Sequence, residues 1–421
     1  MRRSDAYLPT TREGGGVERD DVRLAVRAGL VRRFGNGLYG FAPAGERVRR
    51  KIIDVVEREM RAIGGQRVSL PQLNYRELWE ASGRWGSFED EMFTLENREA
   101  AEMCLAPSHE EGIVHLVSGH VRSYDDLPLL LYQVESKHRD DHARNGLLRT
   151  KEFTMKDAYS LHATTDGLSE WYERVRAAYE RVFDALGLDV AVCTAENSVM
   201  GGSTSEEFVA PVDDGTCALV ACESDGCRFG ITDEGASWHA HDDGDTCPDC
   251  GGVLRASDGV EVGHVFQLGT RYADAMDLTV DDETGGDRAV EMGSYGIGVT
   301  RVLQTLLAQH ADDDGCRWPV TDAGTVAPFD VAVVPLAYDG EVRDAADRIH
   351  DELESAGVDV LLFDDADQTI GERFAESDLL GVPTKVVLGN HYADTGDVEL
   401  EARGGETRYL GLDAAIAELA D

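Results

Sequence analysis

The stretch from Lys137 to Asp157 limits the possible fold of this chain more than any other. Its sequence is KHRDDHARNGLLRTKEFTMKD. It follows the apolar run LPLLLYQVES, crosses a polar turn at Asn145 and Gly146, and then returns along the chain, which predicts two strands joined by a loop. Three of the chain's five lysines lie here, together with several arginines and Phe153. Such a cluster could hold a polyphosphate and stack on a base, although a solvated surface hairpin is the simpler alternative.

Length and charge limit the class of protein. The chain has 421 residues, of which 42% are hydrophobic, so it should form a globular protein of two or three domains. Its 81 acidic and 40 basic residues give a formal net charge of -41. This acidity suits a cytoplasm of very high salt, where the Debye length falls to about 3 Å at 1 M; an acidic protein that avoids nucleic acid is the competing interpretation. The sequence lacks a membrane-spanning apolar run and a signal-peptide segment, which predicts a cytoplasmic protein.

A second polar cluster, PSHEE, lies at residues 107–111, where an apolar strand precedes a predicted helix. Ser108 could cap this helix, with the acids favouring its positive end. That interpretation leaves His109 and one of the two glutamates unexplained. A carboxylate at this position could instead bind the ammonium group of a substrate.

A third segment, MGSYGIGVTRVLQTLLAQH, places Gly296 and Gly298 before a helix that carries Arg301 in its first turn. We predict a glycine turn that opens this helix. Arg301, beside free backbone amides, would then make a second phosphate site.

Residues 217–256 contain five cysteines, of which four fall into two pairs that could bind a metal ion. Cys247 and Cys250 have the spacing of a zinc knuckle, and Cys222 with Cys227 could supply the other pair, although four residues separate them where two are usual. Four thiolates would close a structural zinc site, and buried free thiols are the alternative. His239 or His241 could replace one ligand.

The pattern changes near Pro328. From there to the last residue, strands and helices alternate, which predicts a small α/β domain with its own core. We therefore expect a domain boundary close to residue 325.

Eight segments, taken in this order, closely resemble class II aminoacyl-tRNA synthetases, and specifically the bacterial-type prolyl-tRNA synthetases. They are RAGL with NGLY, LWEASGRW, LAPSHEE, LPLLLYQ, KEFTMKDAYSLH, HVFQLGTRYADAM and MGSYGIGVTRV. The resemblance implies an α+β catalytic domain at residues 1–325, with an antiparallel sheet of six or seven strands surrounded by helices. It further implies a cysteine-rich, zinc-ribbon-like insertion at 217–256, an anticodon-binding-like α/β domain at 326–421, and a homodimer.

The same resemblance implies an activity. The enzyme would use ATP with Mg²⁺ to convert proline to prolyl-adenylate, and would then transfer the prolyl group to the 3′ end of tRNA(Pro). Arg139 and Arg301 would be catalytic. The amino-acid-binding residues would be Ser108, Glu110, Arg139 and His264. The ATP-binding residues would be Arg139, Asp141, Arg149, Phe153, Glu261, Gly296, Gly298 and Arg301.

The chain departs from the family pattern in several places. Only the cysteine-bearing segment separates GGSTSEEF from EVGHVFQ, so the large editing insertion is absent and mischarged alanine should not be cleared in cis. Ser294 replaces a cysteine, Glu206 replaces a histidine, and the loop of the hairpin is one residue shorter. Residues 364–371, DDADQTIG, stand where the family has a basic run that reads the proline anticodon, which removes three positive side chains.

Three hypotheses follow from these departures. The first is a proline-tRNA ligase with an altered grip on the anticodon. The second is a synthetase paralogue that forms the aminoacyl-adenylate but uses a different acceptor or tRNA. The third, a non-catalytic binding or regulatory module, fits poorly because Arg139, Phe153, Arg301 and Glu110 are all present.

Overall fold

The computed structural model describes residues 1–13, 19–88, 91–195, 202, 204–235, 238–283 and 285–420. These residues form two compact units. The core unit comprises Gly35–Leu38 and Ile52–Thr305, and the terminal unit comprises Met1–Phe34, Tyr39–Lys51 and Leu306–Asp421. The terminal unit is therefore assembled from both ends of the chain.

The helices follow the apolar periodicity of the sequence. The longest, over Thr165–Leu186, begins where the Thr164 side chain accepts a hydrogen bond from the Gly167 amide, and it ends at Gly187, whose φ of 65° favours glycine. The α-helices are α1 (Asp20–Arg27), α2 (Pro43–Ala62), α3 (Arg76–Ala81), α4 (Arg84–Ser87), α5 (Glu110–Val117), α6 (Thr165–Leu186), α7 (Arg271–Ala275), α8 (Val299–His310), α9 (Gly340–Ser355), α10 (Ile370–Leu380), α11 (Asn390–Thr395) and α12 (Leu412–Ala420).

Most of the strands lie in the core unit. In chain order they are β1 (Val31–Gly35), β2 (Leu38–Phe41), β3 (Gln66–Arg67), β4 (Leu73–Tyr75), β5 (Phe93–Glu96), β6 (Glu102–Leu105), β7 (Leu129–His138), β8 (Glu152–His162), β9 (Ala191–Thr194), β10 (Thr204–Val212), β11 (Cys217–Cys222), β12 (Phe229–Thr232), β13 (Leu254–Gly269), β14 (Thr279–Asp281), β15 (Asp287–Ala289), β16 (Glu291–Gly298), β17 (Val320–Thr321), β18 (Gly324–Thr325), β19 (Val331–Pro335), β20 (Val360–Leu362), β21 (Thr384–Leu388), β22 (Asp397–Ala402) and β23 (Thr407–Gly411).

One large sheet organises the core unit. Its strand order is β10-β9-β12-β11-β13-β16-β8-β7-β3, which makes nine strands among the described residues rather than six or seven. The difference arises because β11 and β12, on the cysteine-rich segment, pair into the same sheet. Most neighbours are antiparallel, including the predicted hairpin of β7 and β8, in which Lys137 lies opposite Phe153. The hairpin prediction is confirmed.

Helices cover this sheet and close its core. α6 packs against β8, β13 and β16. Beside the sheet, a cluster that includes Ile113 and Val114 of α5 and Tyr272 of α7 packs with Tyr159 and Leu161 of β8. These contacts fix the N-terminal end of α5 next to the hairpin.

A separate three-stranded sheet, β4-β6-β5, lies in the same unit. The register places Leu73 opposite Leu105, and Tyr75 and Leu95 opposite Met103, so these apolar side chains share one face because strand residues alternate between faces. Leu73, Tyr75 and Leu95 are 44%, 50% and 40% exposed, so this face is largely uncovered in the single chain.

The terminal unit contains the predicted α/β domain. Its five-stranded sheet has the order β20-β19-β21-β22-β23, with β19 parallel to both neighbours and β22 antiparallel to β21 and β23. α9 and α12 pack on this sheet over a core that includes Val333, Ile349 and Val386. β23 and α11 were not predicted from the sequence.

Two local predictions are wrong. Gly296 and Gly298 lie within β16, as extended strand residues, and α8 follows directly at Val299, so there is no glycine turn. Ser108 does not cap α5: the N-cap residue is His109, and no side chain caps this helix. The glycines of β16 suggested a turn, but pairing with β8 holds them in an extended strand. Ser108 suggested a helix cap, but its side chain accepts a hydrogen bond from Arg84 instead.

Candidate active site

The N-terminal end of α5 carries a buried cluster of charged side chains. Glu110 and Glu111 are 2% and 0% exposed, and both contact Arg84 of α4, which is itself 2% exposed. Arg84 Nη1 lies 3.0 Å from Glu110 Oε2 and 3.1 Å from Glu111 Oε2, and Nη2 donates to Ser108 Oγ at 3.1 Å. Ser294 Oγ donates to the other Glu110 oxygen at 3.1 Å. Arg84, the Ser108–Glu110 segment and Ser294, from three separate parts of the chain, are thus brought together.

Charge determines the ionisation of these carboxylates. Burial alone would raise the pKa of Glu110, but the positive charge of Arg84 and a hydrogen bond with Ser108 hold its pKa below the ordinary value. Burial raises the pKa of Glu111, against the opposing effect of Arg84. Of the pair, Glu110 is the carboxylate that keeps its negative charge over the wider pH range.

His109, which the sequence left unexplained, has a packing role. Its side chain is buried, with Nε2 3.1 Å from the Pro71 carbonyl, and its backbone amide donates to the Tyr159 hydroxyl at 2.9 Å. Tyr159 in turn donates to Asp157, which also pairs with Lys137 at 2.8 Å. This network joins the start of α5 to the hairpin.

Arg139 follows β7 and points its positive charge into the same region. Its guanidinium carbon lies 5.4 Å from the centre of the Phe153 ring, and Nη2 donates to the Pro107 carbonyl at 3.4 Å. Burial lowers the pKa of Arg139, and the charges of Glu91, Arg301, Glu261 and Glu110 all act on it. Among the described residues Arg139 has no carboxylate partner and its Nε has no hydrogen bond, so the guanidinium can receive an anion.

Arg301, in the first turn of α8, is held by three contacts. Nη1 donates to the carbonyl and to a carboxylate oxygen of Glu261, both at 2.7 Å, and Nε donates to the Leu148 carbonyl at 3.0 Å. Burial alone would raise the pKa of Glu261, but hydrogen bonds from His264 and Arg301 lower it. His264 Nδ1 is 3.1 Å from Glu261, and its ring stacks on Phe266 with centroids 3.7 Å apart.

Glu207 of β10, which sequence analysis missed, completes this group. Burial, reinforced by the negative charge of Glu261, raises its pKa to about 8. Ligand atoms of Glu207, Glu261 and His264 lie within 4.8 Å of one another. Carboxylate oxygens are the ligands that Mg²⁺ prefers, so Glu207 and Glu261 fit this ion, whereas the His264 nitrogen does not.

The loop between β7 and β8 is tied to α8. Gln304, fully buried, donates from Nε2 to the Asn145 carbonyl at 3.1 Å and accepts from the Leu147 amide. Asp141 and Arg149 form an ion pair across the loop. Burial would raise the pKa of Asp141, but its hydrogen bond from Arg149 lowers the pKa below the ordinary value.

The four predicted cysteines meet in the cysteine-rich segment. Cys222 Sγ lies 3.4 Å from Cys250 Sγ, Cys227 Sγ lies 3.7 Å from Cys247 Sγ, and all four sulfur atoms lie within 4.8 Å of one another. A tetrahedral zinc with Zn–S bonds of about 2.3 Å places sulfur atoms about 3.8 Å apart, so the four thiols fit this ion. Neither His239 nor His241 belongs to this group.

Comparison with known families agrees with this architecture. The tRNA synthetase class II core domain (G, H, P, S and T) matches residues 93–310, and the anticodon binding domain matches residues 330–421. The fold and the site therefore define a class II aminoacyl-tRNA synthetase, a ligase.

Curated relatives narrow the class. The proline-tRNA ligase of Rhodospirillum rubrum is 37% identical over 442 residues, covering 100% of both chains. That of Rhizobium leguminosarum is 35% identical over 443 residues, covering 99% of both. That of Corynebacterium aurimucosum is 31% identical over 587 aligned positions, covering 100% of this chain and 99% of the relative. The chain belongs to the bacterial-type prolyl-tRNA synthetase family.

Solved structures share the fold. Prolyl-tRNA synthetase of Cryptosporidium parvum, complexed with halofuginone and AMPPNP, superimposes with a TM-score of 0.76 at 17% identity, covering 95% of this chain and 77% of that one. The same enzyme complexed with L-proline and AMP gives a TM-score of 0.75 at 17% identity, covering 99% of this chain and 77% of that one.

Within the described residues, no helix combines the length and apolar character needed to cross a membrane.

Proposed function

We propose that this protein activates proline with ATP and transfers the prolyl group to the 3′ end of tRNA(Pro). One observation carries the proposal: the buried carboxylate of Glu110 and the guanidinium of Arg139 face a common region, as binding an amino acid by its ammonium and carboxylate groups requires. The full-length similarity to proline-tRNA ligases supports it.

The chemistry needs positioning and charge stabilisation rather than a covalent enzyme intermediate. A proline carboxylate oxygen attacks the α-phosphorus of ATP, the bond to the β-phosphate breaks, and pyrophosphate leaves. The terminal tRNA hydroxyl then attacks the carbonyl carbon of the adenylate, and AMP leaves. In this scheme Arg139 contacts the α-phosphate and the proline carboxylate, and Arg301 contacts the γ-phosphate.

The remaining site residues bind the two substrates. Ser108 and Glu110 hold the imino group, with His264 nearby. Phe153 stacks on adenine, while Asp141, Arg149 and Glu261 line the ATP side. Glu207 and Glu261 would hold magnesium there, and the ion would offset negative charge on the nucleotide. Gly296 and Gly298 would contribute through close backbone approach along β16 rather than through a turn.

The experiment is exchange of pyrophosphate into ATP with each amino acid in turn. We expect exchange that depends on proline. Exchange with another amino acid alone would contradict the proline assignment, and exchange with none would contradict adenylate formation.

A second candidate function concerns the acceptor. Residues 364–371 contain no Lys or Arg, and within the terminal unit Asp364 accepts hydrogen bonds from the amide and hydroxyl of Ser4. Gln368 donates to Glu376, and the 4% exposed Arg373 donates to the carbonyls of Asp365 and Pro335. This surface offers few donors to phosphates or guanine edges, which favours a synthetase paralogue with a different acceptor or tRNA.

Aminoacylation separates the two functions. Transcripts of tRNA with proline anticodons should become charged if the first proposal is correct. Proline-dependent exchange without charging of these transcripts would favour the alternative acceptor instead.

We also propose that the chain lacks an editing insertion and releases mischarged alanyl-tRNA. The alignment with the Corynebacterium relative, longer than this chain, supports this proposal because that relative must have residues without a counterpart here. Hydrolysis of alanyl-tRNA(Pro) by the purified enzyme would contradict it.

Further proposals concern assembly and setting. The uncovered apolar face of β4, β5 and β6 supports a homodimer, which light scattering would detect.

The cluster of four cysteines, Cys222, Cys227, Cys247 and Cys250, supports a structural zinc ion. The charge of -41 supports a salt-adapted, cytoplasmic enzyme. The assignment of residues 1–325 to catalysis and of residues 326–421 to anticodon binding stays a prediction.

A further inference from the structure

Two buried charges next to the amino-acid site have no role in the proposed function. Arg84 contacts Glu110, Glu111 and Ser108 at once, and Ser82 Oγ donates to Glu111 Oε1 at 2.6 Å. The aromatic rings of Trp79, Phe88 and Tyr272 lie 4.9, 4.7 and 5.6 Å from the guanidinium carbon. Burying three charges is costly unless each is paired, so the arrangement calls for an explanation.

The balance of charge in the cluster explains why these three charged side chains are buried together. In this proposal both carboxylates are ionised, because Arg84 contacts both and its charge opposes the burial that raises the pKa of Glu111. With one guanidinium and two ionised carboxylates, the cluster has a net charge of minus one, and a bound secondary ammonium group would bring the sum to zero. If Glu111 were neutral, Arg84 would balance Glu110 and leave no net charge for the substrate. If Arg84 were absent, two adjacent buried carboxylates would repel each other and one would take up a proton.

The contacts of this cluster also fix the orientation of the Glu110 carboxylate. Glu110 receives Arg84 on Oε2 and Ser294 on Oε1, which fixes the plane of its carboxylate. Glu111 faces Arg84, Glu110, Ser82 of the α3–α4 connection, Tyr272 of α7 and Cys104 of β6. Glu111 therefore accepts from Nη1 of Arg84, the same nitrogen that contacts Glu110, and so fixes that nitrogen beside the Glu110 carboxylate.

We propose that Arg84 is a positioning residue, and that Glu111 is the charge partner that keeps Glu110 available for the secondary ammonium group of the amino-acid substrate. This inference rests on the proposed function, since it assigns Glu110 to the substrate. It explains why two consecutive glutamates are buried at the start of α5, where one would suffice for binding.

The decisive variant is Glu111→Gln. It preserves size and can still contact Ser82 and Arg84, but it removes the second negative charge. We expect the KM for proline in pyrophosphate exchange to rise about tenfold or more, because a unit charge a few ångströms from the substrate acts at an effective dielectric constant of about 20. The KM for ATP should stay within about twofold of the wild-type value, since the nucleotide lies outside this charge pair.

A neutral analogue separates charge from packing. Tetrahydrofuran-2-carboxylate has the ring and carboxylate of proline, with an ether oxygen in place of the ammonium. We expect its inhibition constant to be unchanged in Glu111→Gln while proline binding weakens. Arg84→Lys keeps the charge but replaces the planar guanidinium, whose two terminal nitrogens reach separate partners, by a single ammonium nitrogen. It should also raise the KM for proline with little effect on that for ATP. Glu170→Gln, an exposed change on α6, is the control and should change neither constant.

Two outcomes would overturn the inference. One is an unchanged KM for proline in Glu111→Gln, and the other is equal weakening of proline and the neutral analogue, which would indicate a packing defect. Absence of proline-dependent exchange in the wild-type enzyme would contradict the proposed function itself, so the two failures are distinguishable.

Discussion

Arg139 and Arg301 are both arginines of the proposed site, and their surroundings differ. Arg301 is held by Glu261 and the Leu148 carbonyl, so its fork is oriented before any ligand binds. Arg139 has a phenyl ring beside it and, among described residues, no carboxylate partner. Such a guanidinium has the most to gain from an anionic ligand, because burial makes each charge-assisted hydrogen bond stronger.

Replacing Arg139 by alanine tests this assignment. We expect Arg139→Ala to reduce pyrophosphate exchange by about 100-fold to 1000-fold at any salt concentration, which is the usual cost of losing a preorganised donor to developing charge. Arg144→Ala, on the exposed part of the same loop, is the matched control and should retain near-normal exchange. Near-normal exchange in Arg139→Ala would mean that the hairpin is wrongly assigned.

His162, at the end of β8, should make stability depend on pH. It is 2% exposed, and burial lowers its pKa from 6.5 to about 4. Between these values the unfolded chain binds a proton that the folded chain does not, so stability falls as pH drops from about 6.5 to 4, by about 3 kcal/mol at most.

Urea unfolding at several pH values measures this effect. His162→Gln should reduce the loss of unfolding free energy between pH 7 and pH 4.5, compared with the wild-type protein. His115→Gln, on an exposed position of α5, should leave that loss as it is. Identical losses in wild type and His162→Gln would exclude a contribution from this side chain.

Single residues differ in how far the sequence could predict them. Glu110 and Arg139 were predicted as site residues because charged residues in these segments, supported by family motifs, point to a ligand. Arg84 was missed because GRWGS reads as an exposed polar stretch, and its burial depends on Trp79 and Phe88 folding around it. Glu207 was missed because its partners lie more than fifty residues away on β13.

At the scale of elements, hairpin β7–β8 was predictable and its surroundings were not. Alternating apolar residues and a turn at Asn145 and Gly146, both with positive φ, specify the hairpin locally. By contrast, β16 contains glycines that suggest a turn, and only pairing with both β8 and β13 makes it a strand. Pairing between distant segments leaves no local signal in the sequence.

The cysteine-rich segment gives a prediction at this scale. The purified protein should contain about one equivalent of zinc, because four thiolates at these separations form a closed tetrahedral site. Cys250→Ser should lower the zinc content and the thermal unfolding temperature together. Cys316→Ser, a buried cysteine outside the group, should keep the zinc. Well under one equivalent in the wild-type protein would leave the four as ordinary thiols.

For the whole molecule, charge is the dominant property. A net charge of -41 means that the folded chain repels itself at low ionic strength. We expect the thermal unfolding temperature to rise by several degrees between 0.1 and 2 M KCl, since at about 1 M the Debye length is already near 3 Å. Sucrose at matched osmolality is the control for water activity. An unfolding temperature that is unchanged or lower at 2 M KCl would contradict salt adaptation.

The terminal unit draws its residues from opposite ends of the chain. Arg2 pairs with Asp347 and Arg3 with Glu376, each at 2.7 Å, and Thr10 also donates to Glu376. On a translating ribosome these first residues emerge long before their acidic partners on α9 and α10. The unit can therefore be completed only after α9 and α10 have been synthesised, and a fragment that starts at residue 326 would leave those acids without their arginine partners.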